Sequence, residues 1–227
     1  MIRGLCCILW GMEKAQIYTD ENTGERTRIY TDVNTDEHRS WRESMNFEGV
    51  FELLLESFKK GEVKFALIGG FAVADAGYPR TTQDIDFLVA GEDMAKVKHL
   101  MLSYGYDIIH ESKDVSNFLG KMKELGNVDF LHAHRKYAEA MLERAESKEI
   151  LDGKFITKIV TPEDIIGLKV QSSFNDKKRY HQDMADIEAI IKANYKNLYM
   201  ELIKEYFELF NRGDELKQIL EKLGHAD

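Results

Sequence analysis

From residue 47 onward, apolar and polar positions alternate with two distinct periods, and the switches between them divide the chain into helices and strands. The pattern predicts a helix over 47–59, a strand over 65–68 and a short small-residue helix over 71–76. A strand over 85–89, a helix over 92–103 and a short strand near 106–109 follow. After a variable segment comes an apolar strand over 128–131, then two shorter strands around Ile150 and Phe155. Asp152-Gly153 between those two is a hairpin turn signal. Four helices are predicted to close the chain, through Ile165, through Ile187, over 198–210 and over 216–223. Thr161 followed by Pro162 and Glu163-Asp164 supplies an N-cap, a first-turn proline and early acids for the first of them. Gly105, Gly120 and Gly126 punctuate loops, and no low-complexity linker separates independent units. The fold class expected is α/β (α+β): a mixed β-sheet flanked by helices, with a helical C-terminal half. Its expected divisions are an N-terminal extension over 1–45, an α/β core over 46–160 and a helical region over 161–227.

The extension follows different rules. Met1-Ile-Arg-Gly-Leu-Cys-Cys-Ile-Leu-Trp10 is apolar but too short for a membrane span, and no small-residue cleavage site follows it. It is expected to be a disordered extension, with Met12 as an alternative start. Ile17-Tyr-Thr-Asp-Glu-Asn-Thr23 recurs as Ile29-Tyr-Thr-Asp-Val-Asn-Thr35, and Asn22-Thr-Gly24 between these β-formers predicts a hairpin or extended arm.

Composition narrows the function classes. A chain of 227 residues, 44% hydrophobic, can bury one sizeable core or one α/β core with a helical annex. Its net charge of -9 disfavours general nucleic-acid binding, which needs a basic surface, and leaves only local clusters such as Lys177-Lys-Arg179 for an RNA contact. Cys6 and Cys7 are adjacent and are the only cysteines, too few for a disulfide framework or a zinc site, so a reducing cytoplasm is expected.

The chemistry concentrates in Phe65-Ala-Leu-Ile-Gly-Gly70 and Arg80-Thr-Thr-Gln-Asp-Ile-Asp86. Strand side chains alternate, so Asp84 and Asp86 share a face while Ile85 and Phe87 take the other. Two carboxylates so close repel unless a cation lies between them, and a hard divalent ion such as Mg²⁺ (or Mn²⁺) takes a few carboxylates plus substrate phosphate oxygens. Gly69-Gly70 after a strand lets the backbone approach a triphosphate, with helical N–H groups following. Asp129, in Val128-Asp-Phe-Leu131, is placed to complete the site from a neighbouring strand. There it would share the metal or take an acceptor's proton. Arg80, between a proline and two threonines that include Thr81, makes a donor-rich turn suited to phosphate or to pinning a carboxylate. Taken singly, each feature has an ordinary structural explanation: a solvated strand end for the Asp pair, a capping acid for Asp129, solvated faces for Lys169, Arg179 and Asp183. Asp129, His132 and His134 also suggest a transition-metal cluster, but residues three apart on a strand face opposite sides.

Order and spacing together resemble a known family. Gly69-Gly70, the thirteen-residue gap to Asp84-Ile-Asp86, and Asp129 in its apolar run look like the signature of the DNA polymerase β-type nucleotidyltransferase superfamily. Tyr78-Pro-Arg-Thr-Thr-Gln-Asp-Ile-Asp86, Thr161-Pro-Glu-Asp-Ile-Ile-Gly-Leu-Lys169 and the run from Lys169 through Arg179 to Asp183 and Asp186 resemble its AbiEii/AbiGii-type toxin-like branch. The resemblance covers roughly 47–191. It implies a nucleotidyltransferase fold, catalytic metal ligands at Asp84, Asp86 and Asp129, and an NTP held by Gly69, Gly70, Arg80, Thr81, Lys169, Arg179 and Asp183. Gly70 would sit where the family has its glycine or serine against the phosphates, so no serine hydroxyl helps at that position. The activity implied is transfer of an NMP unit to a hydroxyl on RNA or a small molecule, with an antitoxin-type protein partner in the toxin-like case and no membrane association. The competing class is a relative that keeps the fold as a non-catalytic nucleotide- or partner-binding module.

Overall fold

The computed structural model describes residues 45–224, together with the backbone of 16–19 and 26–29. Two short strands, β1 (Gln16–Thr19) and β2 (Arg26–Ile29), pair antiparallel with Gln16 opposite Ile29. The apolar start and Met12 lie outside the described residues.

The main sheet has seven strands. They are β3 (Phe65–Leu67), β4 (Asp84–Ala90), β5 (Tyr106–Glu111), β6 (Val115–Gly120), β7 (Asn127–Ala133), β8 (Glu146–Ile150) and β9 (Phe155–Ile159), in the spatial order β5-β6-β7-β4-β3-β9-β8. Strands β4 and β7 run parallel at its centre, as do β3 and β9, and the other neighbours are antiparallel. The sheet is mixed, as the patterning predicts.

Helix α1 (Phe47–Lys60) covers one face. Its start is capped by Asn46, whose side chain accepts the Gly49 N–H at 3.0 Å. Phe51 and Phe58 from α1 meet Phe87 of β4 and Phe130 of β7, whose rings stack at 5.8 Å. This aromatic layer takes the odd-numbered side chains of β4, which aims Asp86 at the opposite face. Behind α2 (Gly69–Asp75) and α3 (Met94–Ser103) come α4 (Lys136–Arg144) and the four closing helices. Those four are α5 (Pro162–Asn175), α6 (Tyr180–Asn194), α7 (Met200–Glu208) and α8 (Gly213–Lys222). The predicted cap at Thr161 forms, accepting the Asp164 N–H at 3.4 Å. Ile165, Ile166, Ile187 and Phe207 belong to the same buried cluster as the sheet residues Leu67, Leu88 and Ile159.

Two elements go beyond the patterning. Strand β6 occupies the segment read as variable; both its faces are covered, so polar Ser116 and Asn117 are buried beside Phe118 and no alternation marks the strand. Helix α4 buries only Met141 and Leu142, a narrow apolar stripe on a polar helix.

Candidate active site

The turn from β3 into α2 brings the glycines against the acids. Gly69 has φ +64°, and a Cβ there would overlap the Asp86 carboxylate; one on Gly70 would overlap the Thr82 side chain. The space is therefore filled by the chain's own groups: the Gly70 N–H donates to Asp86, and the Ile68 N–H donates to the Asp86 carbonyl at 2.9 Å. Thr82 Oγ1 donates to the Asp84 carbonyl at 3.2 Å and so fixes the turn into β4.

Parallel pairing of β4 with β7 sets Asp86 directly beside Asp129, and β6 adds Asn117 opposite Asp129. At a strand spacing of about 4.8 Å, these three side chains form one row on the face away from the aromatic layer. Asp86 and Asp129 are buried; Asp84 stands half-buried at the entrance of β4, its Oδ1 accepting the Gln83 N–H at 3.2 Å. Asp86 Oδ1 is buried and accepts no hydrogen bond. Burial, then the Asp84 charge, pushes the Asp86 carboxyl up to about 7, against the pull of Arg179, Arg80 and the Gly70 N–H. Burial and the neighbouring Asp86 raise Asp129 well above the ordinary carboxylate range, while a hydrogen bond from Asn117 opposes the shift. Among the described residues, no three His, Cys, Asp or Glu side chains stand grouped at ligand spacing. The buried pair with an unpartnered oxygen is nonetheless a carboxylate site that a hard divalent cation would fit, because such a cation would offset both the burial and the mutual repulsion that raise the two groups.

Beside this row lies a cluster of cations and acids. Lys169, buried on α5, donates to Asp183 Oδ1 at 3.1 Å and is ion-paired with Asp186. Arg179 grips Asp183 with two hydrogen bonds of 3.2 Å, from Nε and Nη2. Arg80 Nε approaches Asp186 Oδ2 at 3.6 Å. Burial pushes Asp183 upward, but Lys169, Arg179 and Ser172 together hold it below the ordinary range. Asp183 and Asp186 are therefore inside the molecule, whereas Asp183 taken singly is expected on a solvated face. Lys169 likewise leaves the solvated face assigned to it as a lone residue. Thr81 is exposed on the turn between Arg80 and Thr82.

The structure thus gathers Gly69, Gly70, Arg80, Asp84, Asp86, Asp129 and Arg179 in one region, with Lys169 and Asp183 behind Arg179. It adds Asn117, not singled out in the sequence, and sets Thr82, the second threonine of the donor-rich turn, against Gly70; the only trace of Asn117's role is a polar residue within the run Val115-Ser-Asn-Phe-Leu119. The histidines are engaged elsewhere. His132 pairs with Ser116 Oγ and the Lys113 carbonyl, both at 3.0 Å, and His134 Nε2 lies 3.0 Å from Asp114.

No protein-family model matches the chain, and no curated protein matches it in sequence. Solved structures do resemble it. The solution structure of the antibiotic-resistance factor ANT(2'')-Ia superposes with a TM-score of 0.53 at 13% identity, covering 80% of this chain and 99% of that one. The crystal structure of ANT(2'')-Ia in complex with adenylyl-2''-tobramycin gives 0.52 at 14% identity, covering 71% and 95%. An antigenic nucleotidyltransferase-like protein from Paracoccidioides brasiliensis gives 0.49 at 16%, covering 78% and 92%. At such identities the likeness is one of architecture, and the architecture is that of a nucleotidyltransferase fold.

Proposed function

We propose that the chain transfers a nucleoside monophosphate from an NTP to a hydroxyl acceptor and releases pyrophosphate. The observation that carries this is the in-register, buried Asp86–Asp129 pair beneath the glycine turn, two acids at a place where folding alone would favour neutral groups. Asp84, Asp86 and Asp129 would hold Mg²⁺ (or Mn²⁺). Bound there, such an ion polarises the α-phosphoryl group and offsets charge on the leaving pyrophosphate.

The remaining roles belong to the chain's own groups. Arg80 would donate to the triphosphate, and Thr81 beside it offers a hydroxyl on the same exposed turn. Gly69 and Gly70 keep the wall over Asp86 free of side chains. Asp129, whose burial raises its affinity for a proton, would accept the acceptor hydroxyl's proton at a carboxylate oxygen. The acceptor oxygen then forms its bond to the α-phosphorus as the bond to the bridging oxygen of pyrophosphate breaks. Asn117 orients Asp129 through its hydrogen bond. Asp183 would hold Arg179, with Lys169 as a second cation on the same carboxylate, and neither Lys169 nor Asp183 would reach the nucleotide itself, since both are buried and paired.

A small-molecule acceptor is favoured over RNA. Net charge -9 repels a polyanion, and one protein of this fold is in complex with adenylyl-2''-tobramycin. An RNA acceptor would instead support the toxin-like branch with its antitoxin-type partner. NTP as donor suits a cytoplasmic setting, and no described helix is long and apolar enough to cross a membrane.

The test is pyrophosphate release with each labelled NTP and Mg²⁺, alone, with total RNA and with a panel of hydroxyl-bearing small molecules. Release that depends on one acceptor class is the expected result. Tight NTP binding without release under any acceptor points to the non-catalytic module, and neither binding nor release refutes the proposal.

A further inference from the structure

The three cations of the cluster beside the acid row are unequally committed. Lys169 and Arg179 spend hydrogen bonds on Asp183, and both side chains are largely buried. Arg80 differs in every respect. It sits in the segment 78–83, which is neither helix nor strand, and its side chain is 28% exposed. Among the described residues, no hydrogen bond engages its guanidinium; its Nε is buried against Asp186 Oδ2 at 3.6 Å, close enough for charge attraction but too long for a hydrogen bond. A guanidinium carries five N–H donors in a planar fork, so a cation held only through the Nε side keeps its terminal nitrogens for an anion.

Arg80 also has a choice of carboxylates. Its charge acts on Asp86 as well as on Asp186, which places it between the acids of the sheet and those of α6. Asp186 is itself anchored, buried on α6 and ion-paired with Lys169, whereas the Arg80 segment has no regular structure to fix it. Without Asp186, the carboxylate left to attract Arg80 is Asp86, which already feels its charge and whose Oδ1 accepts no hydrogen bond. A guanidinium bound there would occupy the place of a divalent cation and turn its donors away from an incoming phosphate.

Resting on the nucleotidyltransferase reading, we propose that Asp186 is a positioning residue for the nucleotide site: from α6 it draws Arg80 away from Asp86 and aims the free side of its guanidinium at the triphosphate. The helical C-terminal half thereby contributes to nucleotide binding through a residue that never touches the nucleotide. Lys169, ion-paired with Asp186, serves as the counter-charge that holds it in place.

A double-mutant cycle on binding tests this. Calorimetric titration of each Mg-NTP into wild type, Asp186→Asn, Arg80→Gln and the double variant gives four affinities, with folding checked by circular dichroism. Asp186→Asn alone should weaken affinity about tenfold and raise the Mg²⁺ concentration needed for half-saturation. Both effects should vanish in the Arg80→Gln background, because residues acting through one another are not additive. A structural role through Lys169 alone predicts the same loss in both backgrounds, and that result, or no loss at all, overturns the proposal. Where Asp186→Asn does not fold, Asp186→Glu keeps a charge beside Lys169 while displacing the carboxylate by one methylene, and the same cycle applies. Wild type that binds no NTP defeats the nucleotidyltransferase reading and this inference together. Wild-type binding with an additive cycle defeats the inference alone.

Discussion

Asp86 is under two opposed demands. Burial and the Asp84 charge favour its neutral form, while holding a cation requires the charged one. Because its native pKa of about 7 lies above the ordinary 3.8, the native state binds more protons than the unfolded chain between those values. Its stabilising contribution is therefore fully present below about pH 4 and is lost as pH rises through about 7. Thermal melts of metal-free protein should show a drop over that window, on the order of 2–4 kcal/mol for a shift of this size. Mg²⁺ at pH 8 should restore much of it, and Asp86→Asn should flatten the profile; a metal-free protein with pH-independent stability from 5 to 8 would contradict the assignment. The same substitution should lower transfer by at least about a thousandfold, measured as pyrophosphate release. Asp129→Asn should differ, keeping much of the NTP affinity while losing about 10²–10⁴ in turnover. Equal losses of binding and turnover would return Asp129 to a purely metal-holding role. Of these residues, the Asp84/Asp86 pair is legible from strand alternation alone. Asn117 is not, because an isolated Asn in an apolar run carries no mark of the strand beside it.

At the scale of elements, the helical half is fastened to helix α4 by a tie around buried Asp164. Asp164 at the start of α5 accepts hydrogen bonds from Arg144 of α4 at 2.7 and 3.2 Å and from Tyr206 of α7 at 2.6 Å. Tyr206 lies flat against Gly167, where a Cβ would stand 2.7 Å from the ring. Gly167→Ala should therefore overpack the α5–α7 contact and cost about 1–3 kcal/mol by chemical denaturation. A neutral result would mean that α7 shifts freely on α5. Helix α5 itself is written locally in its Thr-Pro-Glu-Asp start, and its cap forms as that start requires. Strand β6 and helix α4 are harder to find. The first is buried on both faces and loses the period-two signal; the second buries so narrow a stripe that its polar residues dominate.

For the whole molecule, charge and shared packing set the terms. A net charge of -9 leaves few sites to displace counterions from a nucleic acid. Binding to total RNA should accordingly be weak, with a log affinity that falls against log salt with a slope shallower than about -2, whereas transfer to a small molecule should change little between about 50 and 200 mM salt. A steep RNA slope would revive the polyanionic acceptor. The α/β and helical segments also share one buried cluster, in which Ile165, Ile166 and Ile187 lie with Leu67, Val73 and Leu88. A fragment ending at Val160 would expose that surface, so it should lack cooperative melting; a well-folded fragment would make the two segments separate domains.

The sequence by itself determined what is local: the apolar periods, the cap of α5, the β8–β9 turn with positive φ at Leu151, Asp152 and Gly153, and two carboxylates on one face of β4. Each depends on residues within a few positions of one another, so the pattern contains the cause. Only the tertiary structure decided that Asp129 stands beside Asp86, that Asn117 joins the row, and that Asp183 and Asp186 are buried counter-charges. Pairing register and burial arise from elements far apart in the chain. An Asp on a helix has the same local signature whether its face meets water or a lysine, and its charge, partners and role follow from which of the two it meets.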